Sequence, residues 1–197
     1  MSRMILPAAL LALGFAAGCE ASAKSPEGTP KDPKAQVRAA ARAKIIDETG
    51  RSIGSAEFQV DDDVVTMTVK VTGLEPGRHA IHIHEHGDCG DAGFEGAGGH
   101  FNPTGQGHGL GDEHVDGHHL GDMVNIVADV RGDASATRVI EGASLVVGAP
   151  EGSNSLLRDG GTAVVIHADP DDGHTNPSGK AGKRVACGII VPAPPVP

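Results

Sequence analysis

The chain has no tryptophan and no tyrosine, and only four of its 197 residues are phenylalanine. A core must therefore be built mainly from Val, Ile, Leu and Ala, and the length suits one domain better than two. Basic residues are also scarce, because 16 Lys and Arg stand against 26 Asp and Glu, for a formal net charge of −10. This balance excludes general nucleic-acid binding, which needs a basic face. An anionic substrate would need a local positive group.

The sequence also lacks an apolar run that is long enough to be a dependable membrane span. The stretch from Met4 to Ala17 follows Arg3 and ends in small residues, a pattern that predicts a secretory signal peptide over residues 1–18. Because Gly18-Cys19 resembles a bacterial lipoprotein signal, we predict that Cys19 is lipidated. Cleavage after "ASA" (21–23) is the alternative. The protein is then exported to the periplasm or cell envelope, and a lipid anchor is its one link to a membrane.

Cysteine is the third scarce residue, with three copies. An odd number leaves one spare in an exported protein. If Cys19 carries lipid, Cys89 and Cys187 remain as a pair that can form a disulfide in an oxidising compartment. Two separate buried thiols are the alternative.

Glycine and proline are abundant, with 29 and 13 copies, which favours short strands joined by turns. Residues 19–36 have the polar composition of a flexible tether. A domain is expected over residues 37–192, with about eight strands in an all-β sandwich or barrel, and residues 193–197 are expected to be a disordered tail. The segment "VRAAARAKII" (37–46) is compatible with a short helix by propensity, although it leads into a strand-like segment.

Histidine is concentrated in one part of the chain. Nine of the 11 histidines fall between His79 and His119. His82, His84 and His86 are two residues apart, and Ile81 and Ile83 alternate with the first two. On a strand, His82 and His84 point to the same side and can reach one ion, while Ile81 and Ile83 face the core. Residues 87–118 form a long loop without apolar periodicity, which is typical of a functional loop. The clustering favours a metal site over a solvated polar face.

The types of side chain indicate two sites of different character. Imidazole alone suits copper, zinc, nickel or iron, whereas His119 and Asp122, three residues apart, offer the mixed ligands that suit zinc.

A family resemblance follows from these motifs. The series "HIHEHGDC", "GGHFNP", "HLGDM", "VVIHADPDDG" and "KRVACGII" resembles the copper/zinc superoxide dismutases over roughly residues 40–191. These enzymes have β-sandwich architecture, so the resemblance implies an eight-stranded Greek-key barrel or sandwich with long metal-binding and active-site loops.

The resemblance implies a role for each site residue, with one copper and one zinc ion per subunit. Copper would bind four histidines: His82, His84, His100 and His167. Zinc would share the bridging His100 and would also bind His108, His119 and Asp122. Asp171 would link His82 to His108 from outside the ligand sets. Arg184 would lie beside the copper, and Cys89 and Cys187 would form the family disulfide.

Four other histidines are harder to place. The segment between His108 and His119 is longer than in the family, and it contains His114 and His118, either of which could compete for zinc. His119 is preferred because it stands three residues before Asp122. By the resemblance, His86 lies at the rim without a metal, and His79 packs inside the barrel. His174 is expected in a loop, and the roles of His86, His114, His118 and His174 stay open.

The resemblance implies an enzyme that dismutates superoxide through a copper redox cycle beside a structural zinc, with catalytic roles for Arg184 and His100. A non-enzymatic exported copper- and zinc-binding protein on the same fold is the alternative. Because the copper ligands and Arg184 are all present, the enzyme is favoured. The oligomeric state, monomer or homodimer, is left open.

Overall fold

The computed structural model describes residues 38–110 and 117–196, and in these residues the architecture is almost entirely β. The signal peptide, the tether, Cys19, His114 and Pro197 lie outside the described residues. The described part contains one short 3-10 helix, Glu95–Ala97, and nine strands: β1 Arg38–Asp47, β2 Ser52–Asp61, β3 Val64–Val71, β4 Gly77–His79, β5 Ile81–His84, β6 Ile126–Ala128, β7 Ala134–Ile140, β8 Ala163–His167 and β9 Arg184–Val196.

Residues 38–47 form a strand, so the helical alternative for this segment is wrong. Ala41, Ala43 and Ile45 are buried and alternate with exposed Arg42 and Lys44, which is the two-residue period of a half-buried strand. Burial of the alanine and isoleucine face outweighs the helix propensity of Ala and Arg, because propensity is a weak preference beside tertiary packing.

Seven strands form one antiparallel sheet in the order β5-β8-β9-β1-β2-β3-β7, and β4 pairs with β6 separately. The main apolar core includes Ile83 from β5, at one end of the sheet, and Ile140 from β7, at the other end. Both ends can contribute to one core because the sheet curls round it, as in a barrel or sandwich. The all-β fold predicted from the sequence is confirmed.

The strand that carries the histidines is divided in two. His79 in β4 pairs with Ile126 of β6, whereas β5 pairs with β8 from Ile81 opposite Ile166 to His84 opposite Ala163. Between them, the backbone N–H of Ala80 donates to Asp169 O. This division is the reason for nine strands where the sequence predicts about eight.

The long loop after β5 folds back against that strand. Phe101 N–H donates to Ile83 O, and Ile83 N–H donates to Gly121 O. A β-carbon at position 121 would collide with Ile83 O, so the close approach requires glycine there. His100 consequently forms an isolated bridge with His84.

A disulfide joins this loop to β9, as the sequence predicts. The Cα atoms of Cys89 and Cys187 are 5.8 Å apart, and the bond closes a sequence separation of 98 residues. In the described residues, no helix is both long enough and apolar enough to cross a membrane.

The prediction of a disordered C-terminal tail is wrong for residues 193–196. Strand β9 continues to Val196, with Ala193 opposite Ala40 and Val196 opposite Arg38 of β1. The prolines are compatible with this pairing because β9 is paired with β8 only as far as Ile189, so its last residues lie at a sheet edge.

Candidate metal centre

Four buried histidines converge at one end of the sheet. His82 and His84 come from β5, His167 ends β8, and His100 lies in the loop that returns beside β5. One ring nitrogen from each lies within 4.8 Å of the others. The ring centres of His82 and His100 are 4.0 Å apart, and those of His82 and His167 are 5.1 Å apart. The structure therefore brings together the four residues that the sequence assigns to copper.

In three of these imidazoles, the nitrogen that faces away from the cluster is hydrogen-bonded. His82 Nε2–H donates to Asp171 Oδ2 at 2.7 Å, His84 Nδ1–H donates to Gly98 O at 2.9 Å, and His167 Nδ1–H donates to Gly182 O at 3.3 Å. These contacts assign the proton to the outer nitrogen. The inner nitrogen keeps its lone pair.

The inner nitrogens are the unusual feature of this cluster. His82 Nδ1, His84 Nε2, His100 Nε2 and His167 Nε2 are all buried and have no hydrogen-bond partner. Buried polar atoms are normally paired, and an unpaired one is costly. Four unpaired lone pairs that face one another are the arrangement that a metal ion would satisfy.

Burial also keeps three of these imidazoles, those of His84, His100 and His167, neutral. Desolvation lowers the pKa of His167 to about 3. It also lowers the pKa of His100 to about 4, although the hydrogen bond that His100 donates to the Asp122 carboxylate opposes this shift. Desolvation lowers the pKa of His84 well below its usual value as well. The neutral form is the one that binds a metal.

A second group of ligands surrounds one carboxylate oxygen. Asp122 Oδ1 lies 2.7 Å from His100 Nδ1, 3.0 Å from His108 Nδ1 and 3.3 Å from His119 Nδ1. The other oxygen, Oδ2, accepts backbone N–H groups from Gly109 and His119. Ligands around a tetrahedral zinc ion are about 3.3 Å apart for bonds of about 2.0–2.1 Å. The observed distances are near that value, so the four residues fit zinc.

This second group is charged, unlike the first. Burial alone would lower the pKa of His108, but hydrogen bonds to the carboxylates of Asp122 and Asp171 outweigh it and raise this pKa to about 9. Burial would raise the pKa of Asp122, but hydrogen bonds from His100, His108 and His119 hold it far below its usual value. The buried carboxylate of Asp122 thus favours the protonated form of His108.

Asp171 joins the two groups. Its Oδ2 accepts from His82 Nε2, and its Oδ1 lies 3.0 Å from His108 Nε2. A β-carbon at Gly179 would collide with the Asp171 carboxylate, and Gly179 also has a φ of 63°. Glycine at this position therefore leaves the space that the carboxylate occupies.

Arg184 is placed beside the first group by strand pairing. It opens β9 opposite His167, the last residue of β8. Its Nη1 donates to Phe94 O at 2.6 Å and its Nη2 donates to Gly98 O at 2.7 Å. The side chain is 16% exposed, so a fixed positive charge is accessible at the mouth of the site.

The remaining histidines of the described residues belong to neither group. His118 is exposed, and its Nδ1 donates to His119 O, whereas His119 is buried among the ligands. His86 and His174 are exposed and lie near Glu85 and Asp172, respectively. Both ring nitrogens of the buried His79 face carbonyl oxygens, those of His167 and Glu75.

Comparison with known proteins identifies this arrangement. The family model described as copper/zinc superoxide dismutase matches residues 52–190, more than half of the chain. The chain belongs to the copper/zinc superoxide dismutase family. The family's class of enzyme and its two metals, copper and zinc, confirm the prediction from the sequence.

Two relatives and one solved structure illustrate the match. "Superoxide dismutase [Cu-Zn] 2" of Aquifex aeolicus (strain VF5) is 42% identical over 151 residues, which cover 76% of this chain and 85% of that protein. "Superoxide dismutase-like protein YojM" of Bacillus subtilis (strain 168) is 32% identical over 197 residues and 97% of both chains. The crystal structure of a SOD-like protein from Bacillus subtilis has a TM-score of 0.69 at 32% identity and covers 76% of this chain and 97% of that one.

Asn125 and Gly98 also contribute to the site, although the sequence motifs assign a role to neither. Asn125 donates from Nδ2 to Asp171 O and accepts from Asp171 N–H at Oδ1, so it holds the backbone of the linking carboxylate. Gly98 contributes only a carbonyl group, which both His84 and Arg184 use. The sequence offers one indication of Asn125, its position three residues after Asp122. It offers none for Gly98, because every residue has a backbone carbonyl group.

Proposed function

We propose that this chain dismutates superoxide outside the cytoplasm, with one copper and one zinc ion per subunit. Copper is assigned to four histidines: His82, His84, His100 and His167. Zinc is assigned to His100, which both metals share, and to His108, His119 and Asp122. The observation that carries the proposal is the set of four buried, unpaired ring nitrogens beside a fixed arginine.

The overall reaction converts two superoxide anions and two protons into one O2 and one hydrogen peroxide. Copper, when bound, supplies the one-electron oxidation and reduction that the reaction needs, because it alternates between two oxidation states and zinc does not. The chain must attract the anion, hold the imidazoles in place and deliver protons.

Arg184 is the group that attracts the substrate. Superoxide is a small anion, and the protein has a net charge of −10. A fixed cation at the mouth of the site offsets this field locally. The planar guanidinium is held by two carbonyl groups, which leaves other N–H groups for an anion.

His100 is the group that we propose for proton delivery. Its Nδ1 lies with the zinc group, and its Nε2 is buried and without a hydrogen-bond partner on the copper side. Nε2 is therefore the atom at which His100 would take up a proton and from which it would release it to a reduced oxygen species. Asp171 restrains His82 and His108 together, so the two metal groups keep a constant geometry.

The proposed location follows from the N-terminal pattern and from the disulfide. A bond between Cys89 and Cys187 persists in an oxidising compartment. We propose a signal peptide over residues 1–18, a lipid on Cys19, a tether over residues 19–36 and the enzyme domain from residue 37 onward. The lipid would be the protein's attachment to a membrane, and a homodimer stays one of two open oligomeric states.

A non-enzymatic copper and zinc store is the second candidate. The relative from Bacillus subtilis that matches 97% of this chain is named superoxide dismutase-like. A store needs ligands for its metals, but it has no use for a cation held beside them. The placement of Arg184 therefore favours the enzyme.

The test is Arg184→Glu, compared with wild type at equal copper and zinc content. We expect both metals and the fold to be retained and superoxide decay to slow by one to several powers of ten, where each tenfold corresponds to about 1.4 kcal/mol. Arg184→Lys should keep part of the rate, because it retains the charge without the planar fork. Added salt should slow the wild type, because charges are screened over about 10 Å at 0.1 M.

The matched control is Arg78→Glu, which changes the net charge equally at an exposed arginine of β4. Its rate should stay close to that of wild type. Equal rates for wild type and Arg184→Glu would remove Arg184 from the reaction and favour the metal store.

A further inference from the structure

Phe94 has a backbone conformation that is unusual for its residue type. Its φ and ψ are 56° and 32°, in the left-handed region. Within residues 38–110 and 117–196, positive φ values occur at three other non-glycine residues, Asp62, Asp63 and Lys180, and all three are exposed. Phe94 is only 2% exposed. A bulky residue in this region is an outlier, because its side chain crowds the backbone.

The conformation directs the Phe94 carbonyl group at Arg184. The oxygen accepts Nη1–H at 2.6 Å, while Gly98 O accepts Nη2–H at 2.7 Å. The guanidinium thus has two hydrogen bonds, one on each side of the short 3-10 helix Glu95–Ala97, and the exposed carboxylate of Glu95 lies 3.8 Å from Nη2.

The two carbonyl groups differ in what else they hold. Gly98 O also accepts from His84 Nδ1, so a change there would disturb a proposed copper ligand. Phe94 O accepts from Arg184 and from the backbone N–H of Ala97, which is not part of either metal group. The Phe94 contact can therefore be altered without direct contact with a ligand.

The ring of Phe94 is the element that can maintain the unfavourable backbone. It belongs to a small apolar cluster, separate from the main core, with Ala97, Ala163, Val165 and Cys187, and with partly buried Ile46 and Cys89 against it. Strained backbone persists only where the surrounding contacts determine it strongly.

We infer that Phe94 is a positioning residue for Arg184: its buried ring holds the turn in the left-handed conformation, and that conformation aims the carbonyl group at the guanidinium. The consequence for superoxide rests on the proposed function, in which Arg184 attracts the anion. The structural claim, that the ring immobilises the guanidinium, stands independently.

Phe94→Ala and Phe94→Gly separate this role from ordinary packing. Both variants lose the ring, and Gly loses slightly more packing than Ala. Glycine adopts positive φ without cost, whereas alanine does not. If the backbone conformation matters, alanine is the more harmful substitution for Arg184. If only packing matters, glycine is at least as harmful.

Two measurements report on Arg184 without an assay of activity. NMR of zinc-loaded, copper-free protein gives the rotation rate of the guanidinium N–H groups, which two carbonyl contacts should slow. Azide titration of the copper-loaded protein gives the affinity for a small anion. We expect Phe94→Ala to raise the rotation rate and to weaken azide binding by about tenfold, since a left-handed residue costs alanine about 1–2 kcal/mol. In Phe94→Gly, the rotation rate and the azide affinity should both stay within about threefold of the wild-type values, because glycine adopts positive φ freely.

A double-mutant cycle with Arg184→Met distinguishes the two proposals. In that background, Phe94→Ala should weaken azide binding no further. If Arg184→Met itself leaves azide affinity unchanged, the anion-attracting role in the proposed function fails, while the rotation rates still test Phe94. If Phe94→Gly frees the guanidinium as much as Phe94→Ala or more, the inference about Phe94 is overturned.

The control pair is Asp63→Ala and Asp63→Gly, at an exposed residue with a φ of 66° in the turn after β2. It repeats the backbone comparison, and neither variant should change Arg184. Should Phe94→Ala fail to fold, Phe94→Leu takes its place beside Phe94→Gly. In both variants the guanidinium rotation rate should stay within about threefold of the wild-type rate. Leu retains most of the packing, and Gly adopts positive φ freely. A freely rotating guanidinium in either one would contradict the inference.

Discussion

The two ligand groups of this protein share His100 but are stabilised in opposite ways. The copper group contains only imidazoles, and desolvation keeps His84, His100 and His167 neutral, with their inner nitrogens unpaired. The zinc group is built around the buried carboxylate of Asp122, which pairs with its own histidines. In the first group a metal would bind ring nitrogens that have no hydrogen-bond partner. In the second group it would replace the contacts between the histidines and Asp122.

The sources of the ligands explain the difference. Three of the proposed copper ligands, His82, His84 and His167, lie on the paired strands β5 and β8. The proposed zinc ligands lie in loop segments, where they need a central charge and backbone hydrogen bonds to converge. A strand framework can hold unsatisfied groups at a defined spacing, whereas loops require contacts between the ligands themselves.

The largest expected effect follows from removal of the central charge. Asp122→Ala deletes the oxygen that three imidazoles share. Loss of a residue that only hydrogen-bonds to a ligand typically lowers metal affinity by about 10–100-fold, and the loss of zinc affinity here should be larger. Copper should stay bound, because none of its four ligands is removed. Metal analysis after dialysis against a zinc chelator measures both.

The control for Asp122→Ala is His118→Ala, at the exposed neighbour of His119. It should leave zinc content unchanged. Full zinc in Asp122→Ala together with loss of zinc in His118→Ala would show that the histidine pair was assigned in the wrong order.

The pH dependence of metal binding should also differ between the groups. The pKa of His108 is raised to about 9 in the metal-free protein, so at neutral pH its imidazole is protonated and zinc must displace that proton. Zinc affinity should therefore rise about tenfold for each pH unit up to about pH 9 and level off above it. His84, His100 and His167 are already neutral at pH 7, so copper binding displaces no proton from them.

Chelator competition at pH 6, 7 and 8 gives both slopes. Zinc displaces the proton on His108, so the logarithm of zinc affinity should rise more steeply with pH than that of copper affinity, by about one per pH unit. Equal slopes would mean that the charged and the neutral group do not differ in the way described.

The smallest expected effect concerns the connection between the groups. Asn125→Ser should loosen the backbone of Asp171, which Asn125 holds by two hydrogen bonds, and should weaken zinc by at most about tenfold, at the low end for residues outside the ligand shell. The electron paramagnetic resonance spectrum of bound copper should broaden, because His82 shares Asp171 with His108.

Asn125→Asp is the comparison variant, since it keeps the acceptor for Asp171 N–H and loses the donor to Asp171 O. Its zinc affinity and the width of its copper spectrum should lie between those of Asn125→Ser and wild type. A wild-type spectrum and wild-type zinc affinity in Asn125→Ser would show that Asp171 is held adequately without Asn125.

Prediction from the sequence succeeded where a pattern repeats along the chain. Alternation placed Ile81 and Ile83 in the core and His82 and His84 on the opposite side of one strand. The cysteine count left Cys89 and Cys187 as a pair, and the structure joins them. The sequence left residues 37–46 open between helix and strand, because helix propensity competed with the strand-like pattern, and the structure shows a strand. Prediction failed for residues 193–196, where proline content concealed an edge strand.

By itself, the sequence determined the residue types, their alternation and the order of the motifs, which sufficed for the family and its metals. Only the tertiary structure decided which nitrogen of each histidine is unpaired, which carbonyl groups hold Arg184, and that Phe94 has a left-handed backbone. Ring protonation depends on the partner of the opposite nitrogen, and these partners come from residues as distant as Asp171 for His82. Backbone carbonyl groups are common to every residue, so their position becomes visible only when the chain has folded.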